Sequence, residues 1–377
     1  MAAHMTTHSL ARAAAAIAFF VASHPATAQS VARAGDAQFD DSHFHLTNYI
    51  QEGTDIRDFL RLMGTRVPRS TLFGIPLQQT WAYANSGDFA PSYYLQTDAP
   101  LYYYSFTDAY IAMQYRSLPK EQQARFDPMI TGFDPADMYA AAHIRRVLRT
   151  FPGVFTGIGE FTIHKEFVSS KVAGEAASLT NPALDSILSF AAQSGLVVLI
   201  HNDIDMPFAK QGTEPVYLAQ MKDLLRRHRD ATIIWAHMGL GRVVSPVRTG
   251  ASASATERNP NFGEIVEGML KDPTLSHVSF DISWDEVAKY LLATPETTRR
   301  AAALINRFPD RFLFGSDVVA PRDSAQYFAL FEMYKPLWAA LTPEASAKVR
   351  RGNYERIFDA GRRRVRAWEQ AQGLAAK

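Results

Sequence analysis

Two histidines separated by one residue, His43 and His45, follow the run Gln38-Phe39-Asp40-Asp41-Ser42. Side chains on a strand alternate faces, so His43 and His45 point the same way and can grip one ion. Further ligand-type residues follow, each at the carboxyl end of a short apolar, β-branched run. Glu160 ends 155–159, His201 ends 196–200, His237 ends 232–236 and Asp317 ends 312–316. The chain has no cysteine, which excludes disulfides and leaves imidazole and carboxylate to hold a metal. Those ligands suit Zn²⁺, whose catalytic sites keep a position for water and lower its pKa toward about 7. A metal-bound hydroxide is then the nucleophile. Asp317 would take the water's proton and pass it to the leaving group, while His237 would stabilise the developing oxyanion. A lone histidine at a strand end is more often structural, so the ordered set carries this reading. Glu160 keeps a second role, as an acceptor that orients a ligating histidine.

These residues recur at roughly forty-residue intervals, the last one doubled, and about forty residues is one strand, one helix and two loops. The doubled interval holds a strand-like run at 277–283. Repeated alternation of this kind predicts a (β/α)₈ TIM barrel, in which the carboxyl ends of parallel strands converge on one face. The second and third strands are expected at 70–75 and 126–132, although Pro128 counts against the latter because proline cannot donate to a sheet ladder. Helical spacing is read at 55–63, 137–150, 182–194, 215–229, 262–270, 296–307 and 324–341, with Asn181-Pro182 and Gly195 as start and stop signals. An arginine-rich segment from Pro343 to about Gln372 reads as a charged helix across the outside of the barrel. Residues 76–125 interrupt the pattern with eight tyrosines, Trp81, Phe89 and Phe106. This insertion after strand two is either a lid lining a substrate pocket or a patch packing its own core or a homo-oligomer interface.

With 377 residues, 47% hydrophobic and 20% charged, and a net charge of +1, the chain suits a globular protein with a large core. A near-neutral balance argues against a nucleic-acid partner. One elaborated barrel over 38–377 fits better than two domains. Residues 1–28 read as an export signal, from Arg12, the apolar stretch 13–22 and the small residues Ala26-Thr27-Ala28 before the cut. Residues 1–4 look like an expression remnant ahead of Met5. The expected location is periplasmic or secreted, with no membrane span because the apolar stretch is too short.

His43-Phe44-His45, Glu160 in Gly157-Ile158-Gly159-Glu160, His201, His237 in Trp235-Ala236-His237-Met238-Gly239, Asp317 in Gly315-Ser316-Asp317 and the tail Gly352-Asn353-Tyr354-Glu355-Arg356-Ile357-Phe358 together resemble the amidohydrolase superfamily. The specific likeness is to its amidohydrolase-2 (amidohydrolase-related) branch of metal-dependent hydrolases, over nearly all of the chain after residue 38. The resemblance implies that His43 and His45 are paired ligands, that His201 is a further ligand, and that Asp317 both ligates and moves a proton. It gives His237 either a second ion or the substrate to polarise. At the end of strand four many relatives carry a carbamylated lysine and some a bridging glutamate; here stands Glu160, which leaves one or two ions open.

Lys165, Asn202, Arg242 and Trp284 follow their strands closely enough to bind substrate, as do His164, Asp203 and Arg322. His143, His228 and His277 read as structural. Three functions follow. The first is a metal-dependent hydrolase of a carboxylic ester, lactone or amide with a small-molecule substrate. The second is a metal-dependent decarboxylase of an aromatic or unsaturated acid. The third is a metal- or solute-binding protein without turnover.

Overall fold

The computed structural model describes residues 37–47, 53–75, 106–165, 171–172, 175–176, 178–205, 214–241 and 262–374. The expected export signal, residues 76–105 of the aromatic insertion and Arg242 lie outside the described residues.

Eight short strands form the frame: β1 Phe44–His45, β2 Ser70–Leu72, β3 Phe126–Ile130, β4 Gly157–Thr162, β5 Val197–His201, β6 Thr232–Trp235, β7 Val278–Asp281 and β8 Phe312–Leu313. β2 to β8 pair in parallel and in chain order. β1 closes the ring, bridging to β2 at Asp41–Ser70 and His45–Phe73 and pairing with Val318–Val319 just past β8. This is the expected (β/α)₈ barrel. Pro128 does sit within β3. Its carbonyl accepts from Thr156 N at 2.8 Å, and its missing N–H would face the chain ahead of β4, where no ladder has begun.

The intervening helices are α1 Ile56–Met63, α2 Thr107–Arg116, α3 Ala140–Thr150, α4 Pro182–Ser194, α5 Leu218–Arg227, α6 Phe262–Lys271, α7 Asp285–Leu291, α8 Pro295–Arg307 and α9 Ser324–Met333. Their ends follow capping chemistry. On α4 the Asn181 side chain accepts from Ala183 N, Pro182 opens the first turn and Gly195 closes it at φ 78°. The helix expected over 324–341 is broken into α9 and α10, Lys335–Ala340, because Pro336 cannot continue the hydrogen-bond ladder.

The tail corrects a sequence expectation. α11, Pro343–Ala347, leads through a wide turn into α12, Asn353–Ala371, and α12 is more than an outer cover. Tyr354, Ile357 and Phe358 join Phe73, Met129, Val197, Leu199, Ile234, Ala236 and Leu313 in one buried cluster, which fills the barrel interior from below. Tyr354 OH and the Arg69 and Arg362 guanidiniums all donate to buried Asp127 at 2.7–2.8 Å, pinning that floor. The opposite mouth is left to polar groups.

The end of the insertion is tied to β3. Asp108, in the first turn of α2, accepts from Thr131 N at 2.8 Å and Gly132 N at 3.0 Å. Burial pushes its pKa up to about 7 although both amides favour the anion. A folded-state pKa above the unfolded value gives stability that is complete below the unfolded pKa and is lost as pH rises through the folded one. Asp108→Asn keeps the acceptor without the charge. Denaturant unfolding should show the variant gaining on wild type between pH 4 and pH 8, by on the order of 3 kcal/mol. A pH-independent difference would show Asp108 to be ionised throughout.

Candidate metal and catalytic site

Alternation along the strands decides which side chains enter the mouth. On β1, Phe44 and Leu46 pack outward in the main core, so His43 and His45 turn inward, and both are buried. On β5, Val197 and Leu199 line the interior, and His201 continues that face. β4 and β6 need a correction to the period. Ile158 pairs with Val198 and Phe161 with Ile200, so β4 carries one extra residue, and this bulge turns Glu160 inward. After β6 the interior residue is Ala236, and His237 reaches the mouth only because His237 and Met238 take φ of 55°. Asp317 (φ 49°) and Trp284 (φ 76°) are likewise left-handed. Such backbone costs about 1–3 kcal/mol per non-glycine residue and gathers at functional sites.

Two glycines are required by close approach. Gly159 stands at φ 117° against Leu199. At Gly315 a Cβ would lie 2.5 Å from the Cβ of His43 and push the ligand strand away. Asp41 ties the same region together. Its carboxylate accepts from His43 N, Ser316 N, Ser316 Oγ and Tyr327 OH, clasping β1 to the segment after β8.

The side chains converge tightly. His43 Nε2 lies 3.2 Å from His45 Nε2 and 3.2 Å from Asp317 Oδ1, and His45 Nε2 lies 3.3 Å from that same oxygen. Glu160 Oε2 is 3.6 Å from His43 Nε2 and 3.5 Å from His45 Nε2, while Glu160 Oε1 is 3.3 Å from His237 Nε2. The outer nitrogens are occupied. His43 Nδ1 faces Asp281 Oδ2 at 2.8 Å, His45 Nδ1 faces the Gly74 carbonyl at 3.3 Å, and His237 Nδ1 faces Ser283 Oγ at 2.9 Å. With the ring protons on these outer nitrogens, the inner Nε2 lone pairs and the carboxylate oxygens face one another with no hydrogen between them. His237 Nε2 is buried and has no hydrogen-bond partner. Only a cation or a captured proton makes this arrangement stable.

A divalent ion fits. Metal–donor bonds of about 2.1 Å in a tetrahedron separate neighbouring donors by about 3.4 Å, close to the 3.2–3.3 Å among His43, His45 and Asp317. Two groups of metal-binding geometry are present among the described residues, His43–His45–Asp317 and His43–Glu160–His237. His201 is in neither. Its Nδ1 meets Glu160 Oε1 at 2.6 Å and its Nε2 meets Asp203 Oδ1 at 3.1 Å, so both ring nitrogens engage carboxylates.

The electrostatics agree with a site built for positive charge. Burial opposes charge on His43, yet Asp317, Asp281 and Glu160 hold its pKa well above the usual histidine value. Burial also opposes the anion of Glu160, but Lys165, His201 and His43 keep it well below the carboxylate range. Asp317 is depressed by His43, His237 and His45 against its own burial. His45 goes down, chiefly through desolvation.

Among the expected substrate-side residues, Trp284 has its ring 5.1 Å from that of His237 and 6.4 Å from that of His201. Lys165 Nζ stands 5.8 Å from the Trp284 ring. Asn202 is fully buried and donates to the Asp203 carbonyl at 2.9 Å, so its amide faces the protein. His164 stacks on Tyr217 at 3.7 Å, and Arg322 is exposed. His143 lies in α3, His228 ends α5, and His277 precedes β7 at the far end of the barrel from the mouth. Asp281 and Ser283 were not singled out from the sequence. Val278 and Phe280 pack outward, so Ser279, Asp281 and Ser283 share the inward face, and the alternation used for β1 would have found them.

The amidohydrolase family model matches residues 40–360. The chain belongs to the amidohydrolase family. No curated protein matches it in sequence. Among solved structures, 2,6-dihydroxybenzoate decarboxylase from Rhizobium is similar at 14% identity and a TM-score of 0.50, covering 86% of this chain and 99% of that one. An uncharacterized TIM-barrel protein from Bordetella bronchiseptica gives the same figures of 14%, 0.50, 86% and 99%. A Pseudomonas putida protein described as a putative 2-pyrone-4,6-dicarboxylic acid hydrolase is similar at 15% identity and a TM-score of 0.48, covering 86% and 98%. The likeness at a TM-score of 0.50 carries the fold, and the family carries the class: this amidohydrolase is an enzyme with a site for a divalent metal.

If the ion sits where the lone pairs converge, His43→Ala with His45→Ala should abolish stoichiometric metal, measured on purified protein by elemental analysis. Wild type should gain about 2.7 kcal/mol of stability at a hundredfold excess of metal over Kd, and the double variant none. Undiminished metal in the double variant would overturn the placement.

Proposed function

We propose that this amidohydrolase hydrolyses a carboxylic ester, lactone or amide, with Zn²⁺ as its metal. The observation that carries the reading is Asp317. Its Oδ1 touches both His43 and His45 at the ion position, and its side chain, 13% exposed, is the one member of that trio open to the mouth. A bound ion supplies Lewis acidity, which polarises a carbonyl and lets water ionise near neutral pH.

The protein's own groups do the rest. His43 and His45 offer Nε2 to the ion, with Nδ1 of each fixed from behind. Asp317 takes the proton of the attacking water and returns it to the leaving group. His237, with Nδ1 turned to Ser283, points a lone pair toward Glu160, which suits a ligand more than a donor to an oxyanion. Glu160 is positioned to link the two groups of ligands. Lys165 and Trp284 offer substrate a cation beside an aromatic face, next to His201 and His237.

That last pair also favours a second reading. A cation beside an aromatic face suits the carboxylate and ring of an aromatic or unsaturated acid, and one structural neighbour is a decarboxylase. Zinc-loaded protein tested on ester, lactone, amide and aromatic-acid panels separates the two, since only decarboxylation releases carbon dioxide. Asp317→Asn should lower the rate on the best substrate about 10²-fold or more. Turnover by that variant near the wild-type rate would overturn its role as proton carrier. Failure of every panel member would overturn both readings and place the substrate outside these classes.

A further inference from the structure

Asp281 is buried with no side-chain exposure at the end of β7 and has more partners than any ligand requires. Its Oδ1 accepts from His237 N at 2.7 Å, Ser283 N at 3.2 Å and Ser283 Oγ at 2.5 Å. Its Oδ2 meets His43 Nδ1 at 2.8 Å. Ser283 Oγ, having given its only hydrogen to Asp281, has lone pairs 3.1 Å from His43 Nδ1 and 2.9 Å from His237 Nδ1. Both outer ring nitrogens therefore face acceptors only. Each must carry the ring hydrogen, which leaves Nε2 bare on the ion side.

We infer that Asp281 is a positioning residue that sets the ring tautomer of His43 and, by accepting from the His237 amide and the Ser283 hydroxyl, holds His237 in place beside it, so that one side chain prepares two rings for the metal. This rests on the ion site proposed above. The geometry makes the effect of one substitution unusual. In Asp281→Asn the oxygen must stay where three donors meet, so the new NH₂ is forced onto His43 Nδ1. That nitrogen then has to accept, and the ring hydrogen moves to Nε2, where the ion should bind. The isosteric change thus inverts a tautomer instead of merely weakening a contact.

Three variants test this in zinc-loaded protein labelled with ¹⁵N at histidine. Wild type should show His43 bound through Nε2 and protonated at Nδ1. Asp281→Asn should lose zinc affinity by about 10–100-fold, the range for outer partners of metal ligands, with the His43 hydrogen found on Nε2 in the fraction without metal at high pH. Asp281→Ala, which brings no donor, should lose less than Asp281→Asn. A purely structural role predicts the opposite order. Ser283→Ala should keep both outer hydrogens, because Asp281 Oδ2 and the Ser283 carbonyl, 3.3 Å from His237 Nδ1, remain. Wild-type zinc binding with an unchanged His43 tautomer in Asp281→Asn would overturn the inference and leave the ion site standing. Should Asp281→Ala not fold, the ¹⁵N spectrum of Asp281→Asn decides alone. Absence of zinc binding in wild type would overturn the ion site itself, and this inference with it.

Discussion

Facing lone pairs are the constraint on which the rest of the structure depends. The Nε2 atoms of His43 and His45 and Oδ1 of Asp317 lie within 3.3 Å of one another, inside a mouth that excludes most water. In low dielectric such a group is strongly repulsive until positive charge enters it. The protein could have relaxed by rotating a ring. It does not, because each outer nitrogen is held from behind by Asp281, the Gly74 carbonyl or Ser283. A metal site is in this sense a repulsion that the fold refuses to release.

The barrel supplies that refusal. An interior filled from below by Tyr354, Ile357 and Phe358 leaves the strands little freedom to collapse, so the polar ends stay splayed around one point. Asp41 does the same at the seam where the barrel closes, joining β1 to the chain after β8 with three hydrogen bonds. Gly315 lets the two segments come close enough for those bonds. The left-handed backbone at His237, Met238, Trp284 and Asp317 is strain carried at the working end, offset by packing elsewhere.

Much of this was legible in the sequence, for a definite physical reason. Parallel strands alternate with period two, so His43, His45, His201 and Asp317 lie on the inward face of their strands by counting alone. Glu160 and His237 were located by their place at strand ends, yet counting would have turned both away from the mouth. A one-residue bulge and a pair of left-handed residues bring them in, and neither leaves a reliable mark in a single sequence. Asp281 and Ser283 do not stand out in the sequence, because neither is a histidine and their strand falls inside the doubled interval between His237 and Asp317. The plugging role of the tail was missed because its arginines dominate its composition, while three apolar side chains decide where it packs. Pro128 misled in the other direction, since a strand whose neighbour starts late can spare one donor.

The most direct measurement is X-ray anomalous scattering at the zinc edge from crystals of the metal-loaded protein. The account predicts a peak bounded by His43 Nε2, His45 Nε2 and Asp317 Oδ1, with the His43 ring still against Asp281. Crystals that hold zinc elsewhere, or that show His43 and His45 turned apart with no ion between them, would contradict it.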